Sequence, residues 1–257
     1  MNRILTTLFA LLLIQFLVVN KTYSDEGEVK DCFEKLNRAT FAFNMGLDKA
    51  IFKPISKGYR KLPSPIRTGT GNALSNLSNL ITIPNNILQG DFGSAANNSA
   101  RLLINTTLGI AGIFDPANSF GFEKRQKEDF GQSLGVMGVG EGCYLVLPVL
   151  GPSTVRDTVG SLITINGGDV WHNITVRDDE EYVKEFKESD YWVSRVTSGV
   201  DFRAKNLEAF DAMEKNSVDL YATVRSLYLQ DRKNKINNSN DKTEAMEDGD
   251  WDTLENQ

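Results

Sequence analysis

The sequence predicts an all-α domain built of amphipathic helices around an apolar, glycine-rich centre. Apolar residues recur at i+3 and i+4 through most of residues 31–232. Strict apolar–polar alternation, the mark of half-buried strands, is rare, which argues against a large sheet. Twelve of the 21 glycines fall within residues 108–168, among apolar runs that have no polar face. Such a segment suits either the buried centre of a fold or contact with lipid.

Residues 1–24 read as an export signal. Arg3 supplies the positive end, residues 4–19 the apolar run, and Thr22-Tyr23-Ser24 the small residues at the two positions a signal peptidase reads. Cleavage after Ser24 is expected, with an uncleaved anchor as the alternative. No Cys follows the run at lipoprotein spacing. The folded domain is expected over residues 25–232. Its first helix carries Leu36, Thr40, Phe43, Leu47 and Ile51 and should stop at Pro54. Leu74, Leu77 and Ile81 mark a second, broken at Pro84. Phe92, Ala95, Ala96, Ser99, Leu102 and Leu103 mark a third. Val183, Phe186, Val193 and Val196 continue the pattern, and Leu207, Phe210, Met213, Leu220, Val224 and Leu227 form the last and longest stripe. Residues 233–257 hold seven acidic and three basic side chains and should be a disordered acidic tail.

Composition excludes several functions. A net charge of −6 argues against a nucleic-acid partner. With one His and two Cys, a structural zinc site of four Cys, or of two Cys and two His, cannot be built. No EF-hand spacing occurs either, so no metal and no cofactor are expected. Gly131-Gln-Ser133-Leu-Gly135 matches the G-x-S-x-G elbow of serine hydrolases, with Asp157 or Asp169 and then His172 in the right order. The context is wrong: Lys127-Glu-Asp-Phe130 before it is no buried strand. A catalytic Ser133 is therefore a minor alternative, and the chain is read as a non-enzyme. Gly138-Val-Gly-Glu-Gly142 lacks the Lys-Ser/Thr of a phosphate loop and reads as a turn. Arg38, Arg101 and Arg156-Asp157 stand among apolar residues, where an ion pair or helix cap is expected and a lipid phosphate is the functional alternative. Arg156 should be buried, whereas Arg232, next to the acidic tail, should be a surface charge.

Several stretches resemble the MlaA/VacJ family of Gram-negative bacteria. These are Asp31-Cys-Phe-Glu-Lys-Leu-Asn37-Arg38 with Phe43-Asn44, Pro63-x-Pro65-x-Arg67-x-Gly69, and Arg101-x-x-x-Asn105-Thr-x-Leu-Gly109. Glu128-Asp-Phe-Gly-Gln-Ser-Leu-Gly135 and Tyr144-Leu-Val-Leu-Pro-x-Leu-Gly-Pro-Ser153-x-x-Arg-Asp157 are the most specific, and Val200-Asp-x-Arg203 through Arg232 also fits. The resemblance implies a helical ring in the outer membrane, on its periplasmic side, around an amphipathic channel. It implies removal of phospholipid mislocalised to the outer leaflet, delivery to a periplasmic lipid carrier of the Mla type, and association with a trimeric porin. A periplasmic interaction protein of the same fold without a conduit is the alternative. On this reading Gly131, Gly135, Gly138, Gly142, Tyr144, Arg156 and Asp157 are lipid-path or gating candidates, and Asn37, Arg38, Arg101 and Asn105 are structural. Cys32 and Cys143 each stand where the family tends to carry Pro. With export, that suggests a Cys32–Cys143 disulfide, two unpaired thiols being the alternative.

Overall fold

A computed structural model describes residues 29–175 and 188–237. The export signal, Val183, Phe186 and the tail beyond Asn237 lie outside the described residues. Within them are eleven helices and one two-stranded hairpin.

Helix α1 (Glu34–Leu47) passes through a π-helical turn (Asp48–Phe52) into α2 (Lys53–Tyr59). The stop expected at Pro54 does not occur. In the π turn the Lys53 N–H reaches back to the Asp48 carbonyl, which shifts the register just ahead of a ring that has no N–H to donate. Helix α3 (Ser64–Leu88) likewise runs through Pro84. There the Asn85 amide reinforces the turn by donating to the Ile81 carbonyl at 2.8 Å. Asp91 caps α4 (Phe92–Thr107) by accepting from the Ser94 N–H at 2.9 Å. A short α5 (Pro116–Ser119) follows. Helix α6 (Phe130–Val136) opens with a capping box between Asp129 and Gln132.

Strands β1 (Tyr144–Leu147) and β2 (Gly151–Thr154) pair antiparallel, with Tyr144 opposite Thr154. Thr154 caps α7 (Val155–Ile163), and a second π turn (Thr164–Gly168) leads to α8 (Val170–Thr175). After α9 (Glu188–Lys205), the single long stripe expected at the end is two helices, α10 (Leu207–Asn216) and α11 (Leu220–Ile236). Asp219 starts the second by accepting from the Ala222 N–H at 3.2 Å. Helix α11 continues four residues beyond the expected domain end at 232.

Helix α3 packs on α4, α6 crosses α7, α9 lies on α2 and α3, and α11 meets α6 and β2. A small aromatic core sits under the hairpin: Tyr144, Val146 and Tyr221, with Phe41, Tyr228 and Leu229 against them. Helix α1 docks β1 through two amides on one face. Asn37 donates to the Tyr144 carbonyl at 3.0 Å and accepts from the Val146 N–H at 2.9 Å. Asn44 does the same with Leu147 and Val149. Cys32 and Cys143 are bonded at this corner, their Cα atoms 5.6 Å apart.

Candidate functional site

The distribution of polarity is inverted. Among the described residues, nine hydrophobic residues are buried against 22 polar or charged ones, while 30 large hydrophobic side chains are exposed. Helix α4 shows the local cause. Ala95, Asn98, Arg101 and Asn105, spaced by three and four, are its buried side, and Phe92 and Leu103 point outward. On α3, Arg67, Asn76, Thr82, Asn85 and Asn86 are buried, and Ile66, Ile87 and Leu88 are exposed. The two helices meet through amides: Asn98 donates to Asn86 and Asn76 to the Thr106 hydroxyl, each at 2.9 Å. Where the surroundings are hydrocarbon, apolar faces gain nothing by associating, and such polar bonds hold helices together instead. No helix among the described residues is long and apolar enough to cross a membrane.

Two further apolar tips are exposed. After α4 the chain turns through Leu108, Ile110, Ile113 and Phe114. Ile110 (φ 51°) and Ala111 (φ 55°) lie in the left-handed region, followed by Gly112 (φ 87°). Gly112 rests so closely on Asn76 that a Cβ would sit 2.6 Å from its side chain. At the hairpin tip, Val149 (φ 68°) precedes Leu150, which is 70% exposed. Holding a β-branched residue left-handed costs on the order of 1–3 kcal/mol, which the surrounding turn must offset.

Between α1, the hairpin, α10 and α11 lies an open groove with about 180 Å³ of free space. Its wall is largely apolar, with Phe41, Phe52, Phe210 and Met213 among its residues, and one ion pair is set into it. Arg203 donates to the Asp48 carboxylate through Nε and Nη2 at 2.7 and 2.9 Å and lies over the Phe210 ring at 4.8 Å. Its Nη1 is buried without a hydrogen-bond partner. An apolar wall with one unmet donor suits an amphipathic ligand whose oxygen can accept from that nitrogen. The sequence reading includes Arg203 in a motif but not among the site residues, because nothing in sequence joins it to Asp48.

The seven lipid-path candidates lie elsewhere: none lines this groove. Asp157 sits in a buried cluster. Arg232 donates to both Asp129 oxygens, at 2.6 and 2.9 Å, and to Asp157 at 2.8 Å, and the Tyr228 hydroxyl donates to Asp157 at 2.6 Å. Burial would push the Asp157 carboxyl up, but Arg232 outweighs it and holds the group below the usual range. Arg232 is thus buried, not the surface charge expected. It is helical, and its guanidinium joins α11 to the start of both α6 and α7. Gly131 belongs to the same cluster, where the backbones of Gly131 and Gly160 touch and a side chain on either would overlap the other helix. Gly135 faces Ile236 and Arg156. Arg156 is buried as expected and reaches Asp157 at 3.3 Å and the Val139 carbonyl at 3.4 Å. It thereby ties down the turn that holds Gly138 and Gly142, both at positive φ. Tyr144 is fully buried in the aromatic core.

Of the remaining candidates, Asn37 docks β1, and Arg101 and Asn105 both bind Asp115 at 2.8 Å, fixing the turn after α4. Arg38, expected among apolar residues, is exposed, pairs with Glu34 and Asp219, and lies over Tyr221 at 4.3 Å. Ser133 is buried within α6, donates to Asn85 at 2.7 Å and accepts from Gln89 at 3.2 Å. His172 packs against Tyr191 instead. The segment before α6 is not a strand, so the nucleophile-elbow geometry is absent there. Beside Ser133, burial pushes the Glu128 carboxyl up to about 7.

The model of the MlaA lipoprotein family matches residues 29–235. An uncharacterised protein of Rickettsia prowazekii (strain Madrid E) is 36% identical over 200 residues, 77% of this chain and 75% of that one. The intermembrane phospholipid transport system lipoprotein MlaA of Escherichia coli (strain K12) is 32% identical, over 80% of this chain and 78% of its own. A solved structure described as "Structural basis for maintenance of bacterial outer membrane lipid asymmetry" superposes with a TM-score of 0.66 at 29% identity. The match covers 80% of this chain and 99% of that one. With the family model and the relatives spanning nearly all of the described residues, the chain belongs to the MlaA lipoprotein family.

Proposed function

We propose that this chain is the outer-membrane component of an intermembrane phospholipid transport system. It maintains lipid asymmetry by removing phospholipid mislocalised to the outer leaflet. The observation that carries the reading is the inverted polarity: an apolar outside for a leaflet and a hydrogen-bonded polar interior. The names of the relatives support the same reading. The helices form a ring held in the inner leaflet from the periplasmic side, and phospholipid passes through it without covalent chemistry. The groove beside Arg203 takes part of the lipid during passage, and the turn with Gly138 and Gly142, held by Arg156, gates the passage away from that groove. Gly131, Gly135, Tyr144 and Asp157 act by holding α6, α7 and the hairpin in place. A periplasmic lipid carrier of the Mla type receives the lipid, and a trimeric porin anchors the ring.

A deletion strain tests this. Outer-leaflet phospholipid should accumulate, and sensitivity to detergent and chelator should rise. Unchanged outer-leaflet phospholipid would remove the proposal.

A further inference from the structure

The charges in the wall of the groove beside Arg203 are already matched. Three of its lining residues are charged: Asp48, Arg203 and Glu214. Arg203 commits Nε and Nη2 to Asp48, and Glu214 is held by Lys49 at 2.5 Å. Asp211, 3.8 Å from the same guanidinium, is held by Lys53 at 2.8 Å. An incoming phosphate or carboxylate would therefore meet no net positive field and would lie beside carboxylates. An arginine that receives an anion ordinarily offers two parallel N–H groups. Here that fork is given to Asp48. Asn44, the one amide side chain in the wall, is occupied by the Leu147 carbonyl and the Val149 N–H.

What is left is a single donor. Arg203 is 7% exposed, and its Nη1 has no hydrogen-bond partner. A lone N–H in a wall without net charge is met by a neutral acceptor, a carbonyl oxygen, better than by an anion. The free space of about 180 Å³ sets the size. A dry protein cavity of about 150 Å³ takes a benzene-sized molecule, so the groove holds on the order of seven heavy atoms. That is about an ester group with four methylenes, and it excludes two chains with a headgroup. The groove is open, and Val149 in its wall is exposed beside the exposed Leu150, so the rest of the chain leaves along an apolar edge.

We propose that this groove is a subsite for one acyl ester of a glycerolipid, with Arg203 Nη1 donating to the ester carbonyl. Phe41, Phe52, Phe210 and Met213 take the first methylenes. Every diacyl phospholipid carries that ester, whatever its headgroup. The groove therefore reads the junction of chain and glycerol and is blind to the headgroup. Lipids with ether-linked chains lack the carbonyl and are held more weakly. This assignment rests on the phospholipid-transport reading above.

The test uses the full chain reconstituted in vesicles of dioleoylphosphatidylcholine with a trace of one photoreactive lipid at a time. Labelled residues are mapped by mass spectrometry. Three probes carry the same diazirine near the glycerol end of one chain: a diacyl phosphatidylcholine, its diether analogue without the carbonyl, and a diacylglycerol without the phosphate. The diacyl phosphatidylcholine and the diacylglycerol should label Phe210 and Met213 alike. The diether should label them at least about tenfold less, the factor that one hydrogen bond to a charged donor supplies. Arg203→Met/Asp48→Asn, which removes both charges together, should erase that difference. If this variant fails to fold, the three probes on wild type decide. Equal labelling by ester and ether overturns the carbonyl as the recognised group. Labelling lost with the diacylglycerol, and kept with the diether, assigns the groove to the phosphate and overturns the proposal. No label at the groove, while other residues of the chain are labelled, overturns the subsite and leaves phospholipid transport standing. Ester-dependent label at the groove, in a protein whose deletion leaves outer-leaflet phospholipid unchanged, defeats the transport reading and keeps the site.

Discussion

The corner around β1 and the α3–α4 pair are folded on opposite rules. At the corner, Tyr144, Val146 and Tyr221 are buried as in a protein surrounded by water, and Cys32–Cys143 closes the chain over them. In the α3–α4 pair the buried contacts are Asn98 to Asn86, Asn76 to Thr106 and Arg101 to Asp115, and the apolar side chains face out. One chain therefore holds its anchor by a disulfide and an aromatic core and its arm by polar contacts. Changes that remove cross-links or ion pairs should act on folding at the anchor. Changes to the outward face of the arm should act on membrane contact and leave folding alone.

The largest effect is expected from the disulfide. A Cys32→Ser/Cys143→Ser variant releases a loop closed across a sequence separation of 111. The chain-entropy model assigns such a loop about 4–5 kcal/mol, measurable by denaturant unfolding under oxidising and reducing conditions. An unchanged midpoint would show that the corner is held by its aromatic core alone.

Next is Arg232→Ala. It leaves Asp129 without its cation and Asp157 with Arg156 alone, at 3.3 Å, and should cost roughly 3–5 kcal/mol in unfolding free energy. Arg38→Ala removes an exposed, solvent-screened ion pair and should cost far less. Equal stability of the two variants would contradict the burial of Arg232.

A pH effect is expected beside the C-terminal end of α3. Glu128 accepts from Gln89 at 2.9 Å and Gln126 at 3.1 Å, and burial, with Asp129 adding to it, raises its carboxyl from 4.5 to about 7. Because the folded state holds the proton more tightly, this contribution to stability is whole below pH 4.5 and is lost as pH rises to about 7. Glu128→Gln should therefore match wild type near pH 4.5 and exceed it by on the order of 2–3 kcal/mol at about pH 8. A variant equally stabilised at both values would show that charge is not the cause.

The smallest effect on folding is expected from Leu103→Asn. Leu103 is 67% exposed, so its loss should leave the unfolding free energy within about 0.5 kcal/mol of wild type. Flotation with phospholipid vesicles should nonetheless fall. A destabilised fold would place Leu103 in a core.

What the sequence could and could not disclose follows from the same contrast. Capping chemistry is local, and Asp129 with Gln132 is legible from residues three apart. Periodicity reports that a helix has an apolar face but not which solvent that face meets. Leu36, Phe43 and Ile51 repeat at helical spacing and are all exposed. Pro54 and Pro84 read as stops because the π turn and the Asn85 contact that accommodate them arise only once the chain is folded. The run 144–147 is too short for its period to separate strand from helix. Arg232 borders the acidic tail in sequence, yet its partners Asp129 and Asp157 lie 103 and 75 residues away.

The most direct test of the central claim is a nitroxide scan of the reconstituted protein in bilayers. Single labels at Phe92, Leu103 and Phe114 report the outward face, and labels at Lys124 and Arg125 report the exposed charged segment between α5 and α6. The outward positions should be open to oxygen, which concentrates in lipid, and closed to a water-soluble nickel chelate. The other two should show the reverse. Equal exposure of both sets to the chelate would contradict the account, because the apolar side chains would then face water.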